Sequence, residues 1–165
     1  MRKAMEEQLQ FDEVDIPRIQ FNLKSRDDIV QILLGLQYLY GDPACREELF
    51  DLLDQLIPAH VSRDHGRPGM HLWRILVLGT LRLNLNCDYD RIHDLANNHI
   101  KIRQMLGHGS FGDQPDYSLQ TIKDNVSLFT PEILDLINQV VVKSGHQFVK
   151  KKRRKCSRAN VIPLS

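Results

Sequence analysis

GRPGMHLWRILVLGTLRLNLNCDYDRIHDLANN, residues 66–98, holds the longest apolar run in the chain. From Met70 to Leu83 it is apolar at Met70, Leu72, Trp73, Ile75, Leu76, Val77, Leu78, Leu81 and Leu83. A helix built from these residues is greasy over most of its circumference and has to sit inside a protein core. The run is too short for a bilayer span and carries Arg74 and Arg82, so the interior it implies is that of a helical domain rather than a membrane. Gly66-Arg67-Pro68-Gly69 turns the chain ahead of this helix, and Asn84-Leu85-Asn86 breaks the apolar pattern after it. Asp88 then offers an N-cap for a second helix with Tyr89, Ile92, Leu95 and Ala96 on one face.

The flanking segments follow the same logic. Residues 1–24 have few periodic apolar positions and contain Pro17, so they read as an N-terminal arm. Ser25, with Asp28 three residues later, resembles a capping arrangement ahead of Ile29, Ile32, Leu33, Leu36 and Tyr40 at helical spacing. Gly41-Asp42-Pro43 ends that helix, and Ala44 to Leu56 forms the next, with leucines on one face and Glu47, Glu48, Asp51 and Asp54 on the other. Residues 58–69 read as loop. His99 to Leu106 is a short helix closed by Gly107 in a C′ position, followed by a loop from His108 to Tyr117. Ser118 caps a helix containing Leu119, Ile122, Val126 and Phe129, and Thr130-Pro131-Glu132 starts the last one. Without a sustained alternation of period two, the expected fold is an all-α bundle of six or seven helices over residues 25–149.

A chain of 165 residues is the size of one domain with tails. Cys45, Cys87 and Cys156 lie far apart and form no metal-binding pair, which fits a reducing compartment and inert thiols. The basic start lacks an apolar stretch behind it, so no secretory signal is expected and the protein is placed in the cytoplasm. The net charge of +1 conceals an asymmetry. Residues 1–58 hold twelve acids against six Lys and Arg, residues 59–149 hold nine of each, and residues 150–165 hold seven cations and no acid.

Gly66-Arg67-Pro68, the apolar helix, the Asp-led helix, the Met105-Leu106-Gly107 stop and Ser118-Leu119-Gln120-Thr121 behind a proline loop occur in an order that resembles the N-terminal helical domain of bacterial DDE-type insertion-sequence transposases. The likeness covers residues 25–149 and departs from the family at Asn84 to Asp88. It implies a helix-turn-helix-like unit, DNA transposition and recognition of terminal inverted repeats in double-stranded DNA. A second copy or a full-length transposase would be further partners. In that family three carboxylates after the helical domain hold two divalent metals for attack on a phosphodiester. Here the last acid is Asp135, so the resemblance implies a truncated or frameshifted transposase, or a free-standing N-terminal domain, with no catalytic residue, no metal site and no cofactor.

Binding then rests on two sets of residues. Lys150, Lys151, Lys152, Arg153, Arg154 and Lys155 are six consecutive cations suited to phosphates, although a solvated tail explains them as well. Gln120, Thr121, Lys123 and Asn125 lie away from the apolar face of their helix, where they could read bases, with Arg67, Lys101 and Arg103 as supporting phosphate contacts. An ordinary exposed surface accounts for the same four residues. The histidines at 60, 65, 71, 93 and 99 show no zinc-helix spacing, and Asp88, Asp90 and Asp94 fit a cap and a solvated helix face. A second reading stays open, a helical self-association module without DNA binding, to which the acidic front half points.

Overall fold

The computed structural model describes residues 14–55, 69–109 and 116–159, with the last fourteen of these described by their backbone only. Among them the fold is all-helical. A 3-10 turn, Ile16–Arg18, precedes α1 (Asp28–Gly41), α2 (Pro43–Asp54), α3 (Leu72–Leu85), α4 (Tyr89–Asn98), α5 (Ile100–Met105), α6 (Leu119–Val126) and α7 (Pro131–Ala159). No described helix is long and apolar enough to cross a membrane.

The apolar run forms α3, and every residue from Leu72 to Leu81 except Arg74 is buried. Burial of a Leu or Ile side chain contributes about 1.5–3 kcal/mol, so this one helix supplies much of the hydrophobic drive to fold. The helix continues through Asn84 and Leu85, two residues past the expected break. It ends where Asn86 adopts the left-handed conformation, with φ 48°. There Asn86 N–H donates to Leu83 O and Cys87 N–H to Arg82 O, which closes the last turn as a Schellman motif. Gly107, with φ +91°, does the same for α5, with its N–H on Gln104 O and that of His108 on Arg103 O.

The starts of the helices follow from short polar side chains. Asp88 accepts from Arg91 N–H at 2.9 Å and Ser118 from Thr121 N–H at 3.1 Å, both at the expected caps. For α1 the cap is Asp27, which accepts from Ile29 N–H at 3.0 Å, while Ser25 accepts from Asp27 N–H and shapes the turn before it. Asp42 caps α2 through both Ala44 N–H and Cys45 N–H, with Pro43 in the first turn, where its missing N–H costs nothing.

Three features differ from the sequence expectation. The described part of the N-terminal segment is docked on the body: Ile16 and Ile19 are buried, and Gln37 Nε2 donates to both their carbonyls at 2.9 Å. Two isolated isoleucines carry no period, so only the partner on α1 identifies them as core. The helix from Ser118 ends at Val126, ahead of Phe129, which still packs in the core. The backbone of α7 stays helical past residue 149 and through the basic segment to Ala159. Lys and Arg are good helix formers and no proline interrupts the segment before Pro163.

Packing is organised by α3, which touches α1, α2, α4 and α6. The Tyr40 and Trp73 rings meet at 4.9 Å between α1 and α3. Phe129 lies so close over Gly79 that a Cβ there would collide with its ring. α7 leans chiefly on α2, where Lys143 Nζ lies 3.3 Å from Glu48.

Candidate nucleic-acid interface

α6 is oriented by its buried side. Ile122 and Val126 enter the core beside α4, leaving Gln120, Thr121, Lys123 and Asp124 exposed. Gln120 Nε2 donates to Asp124 Oδ1 at 2.6 Å, and the Thr121 hydroxyl shares a 2.8 Å hydrogen bond with that of Ser118. Lys123 is exposed and has no ion pair among the described residues. The outward face therefore offers one amide, one hydroxyl and one cation, with a carboxylate among them.

Asn125 does not belong to that face. It is 8% exposed, its Oδ1 accepts from Met70 N–H at 3.3 Å, and its Nδ2 donates to Thr121 O at 2.7 Å. Its amide ties the residues ahead of α3 to α6, which leaves it no free edge for a base. The apolar period cannot reveal this, because the partner, Met70, is 55 residues away.

The cations assigned to phosphates on α5 are also engaged. Arg103 has a side chain only 18% exposed, placed 3.5 Å from Asp116 Oδ1 and, at the same distance, from the carbonyls of Ala96 and Asn97. Lys101 is half-buried, with its ammonium 5.8 Å from the centre of the Phe21 ring. Arg67 lies outside the described residues, as do the side chains of Lys150 to Lys155, whose backbone belongs to α7.

Behind α5 the structure assembles a polar cluster that has no signature in the sequence. Trp73 Nε1 donates to Met105 O at 2.7 Å and Arg74 Nε to Leu106 O at 2.9 Å, so two side chains of α3 satisfy carbonyls at the end of α5. His108 Nε2 and the Tyr117 hydroxyl share a 2.6 Å hydrogen bond within reach of the Arg74 charge. Burial pushes the Tyr117 phenol upward, and the charges of Arg74 and Arg103 pull it partly back. Asn97 holds Tyr117 by two bonds that imitate a backbone pair: its Nδ2 donates to Tyr117 O at 2.9 Å, and Tyr117 N–H donates to its Oδ1 at 2.8 Å. The cluster fixes the chain just ahead of α6 against α4 and α5. The one hint in the sequence is Arg74 itself, since a cation inside an apolar run requires a partner.

Elsewhere the surface is mixed in sign. Arg91 pairs with Asp94 at 3.1 Å, in line with the solvated helix face expected for the acids of α4, and the Arg82 guanidinium stacks 4.2 Å over Tyr89. Among the described residues no group of three or more His, Cys, Asp or Glu could hold a metal ion. Comparison with family models, curated proteins and solved structures returns no match to this chain.

Proposed function

We propose that the chain is a DNA-binding module of the kind found at the front of insertion-sequence transposases, which engages element-end duplexes without cutting them. In this reading the basic segment of α7 supplies affinity, and α6, within a helix-turn-helix-like unit of α4 to α6, supplies sequence preference. The observation that carries it is that the six cations from Lys150 to Lys155 fall on continuous helical backbone. At 100° per residue six consecutive positions pass right round a helix and advance it by about 8 Å. Several of them therefore meet phosphates whichever side faces the duplex. Arg103 and Asn125 drop out of the binding set, and Gln120, Thr121 and Lys123 remain as base-contact candidates.

The test uses fluorescence anisotropy over a salt series, with a random duplex and with duplexes selected from a random pool. Deletion of residues 150–165 should weaken binding to both about equally and flatten the slope of log K against log salt by about 0.9 per lost phosphate contact. Gln120→Ala with Lys123→Ala should instead narrow the gap between selected and random DNA. A deletion that changes neither affinity nor slope would sink the reading.

A further inference from the structure

α7 carries more apolar surface than its packing on α2 uses. Ile137 and Val140 are buried, but Val142 is 57% exposed and Val141 42%. Steps of three and four residues from Asp135 lead to Asn138, Val142, Gly145, Val149 and Lys152, one face of the helix with Val142 and Val149 as its apolar members. The described members of that row, Asp135 to Gly145, are all exposed, and a Cβ added at Gly145 would meet nothing within 4 Å. Beyond Gly145 the helix runs fourteen more residues, about 21 Å.

Charge along α7 determines how such a face could be covered. Glu132 and Asp135 stand at its beginning, no acid follows, and the cations cluster at its end. Two copies side by side in the same direction would set six cations against six. In opposite directions each cationic end meets an acidic one. With Val142 of one copy beside Gly145 of the other, Asn138 falls beside Val149, Asp135 beside Lys152 and, next to the row, Glu132 beside Lys155.

We infer that the chain self-associates as a two-fold pair through the outer face of α7, antiparallel, with Val142 and Gly145 at the centre and the basic segment of each copy over the acidic start of α7 in the other. The pairing uses cations that the DNA-binding reading gives to phosphates, so it is tested in the absence of nucleic acid.

Sedimentation equilibrium without DNA, across micromolar concentrations and at low salt, tests it. The parent chain should sediment at twice 19.2 kDa. Val142→Glu, at an exposed position, should keep its helical circular dichroism and melting temperature and pair on the order of a hundredfold more weakly, because a charge would be desolvated at the centre of the seam. Asp135→Lys should also weaken pairing, and Lys152→Glu added to the same chain should restore it. A parent chain at 19.2 kDa throughout, or a Val142→Glu variant that pairs as tightly as the parent, would overturn the inference. Failure of Lys152→Glu to rescue Asp135→Lys would overturn the antiparallel register.

Discussion

α1 and α3 are helices of fourteen residues each, packed on one another, yet they stand in different relation to water. α1 buries four residues, Ile29, Leu33, Leu36 and Leu39, on a single stripe. α3 buries nine, with Leu76, Val77, Leu78 and Leu81 all at 0% exposure. Those four span more than a full turn, so α3 has no dry side and wet side in its first ten residues. The consequence is that the same substitution has opposite effects in the two helices. α1 leaves Asp28, Gln31, Gly35, Tyr38 and Gly41 exposed, whereas the first ten residues of α3 have almost nowhere to put a new atom.

The largest expected effect is at Leu76. Leu76→Asp places an unpaired carboxylate in the core and should cost several kcal/mol, enough to unfold the domain; circular dichroism melting measures it. A variant that melts like the parent would refute the placement of α3. Next comes glycine to alanine. Gly79→Ala drives a methyl into the Phe129 ring near its attachment point, where it cannot swing away, and should destabilise by about 1–3 kcal/mol in urea titration. Gly35→Ala in α1 meets nothing within 4 Å and should stabilise by about 0.5–1 kcal/mol, as helix propensity requires. Equal effects from the two would mean that the contrast between the helices is wrong. The smallest effect concerns the start of α1. Asp27→Ala should cost about 1 kcal/mol through loss of the bond to Ile29 N–H, with Ser25→Ala clearly below it. The reverse order would restore the cap to Ser25.

The cap shows how closely the sequence could be read and where it misled. Ser25 and Asp27 are both good capping residues two positions apart, and Asp28 three residues after Ser25 favoured the wrong one. Where a single candidate existed, at Asp88 and Ser118, the expected cap is the observed one. The binding residues were harder. Gln120, Lys123 and Asn125 are all polar and close together on one short helix, and residue type separates none of them. Gln120 and Lys123 face outward, while Asn125 is taken by Met70 N–H. Arg103 has the charge a phosphate contact needs, but Asp116 and the carbonyls of α4 hold it.

The sequence by itself determined the helical class, the starts of the described helices within a few residues and the burial of α3. Apolar period, caps and glycine stops are interactions within a few residues, so they are written where they act. Only the tertiary structure decided which polar groups remain available and which isolated apolar residues are core. Ile16 and Ile19 are core because Gln37 captures their carbonyls, and Asn125 is structural because α6 lies against the start of α3. Each of those outcomes depends on a hydrogen-bond partner many residues away, and a buried polar group takes whichever partner the packing brings to it.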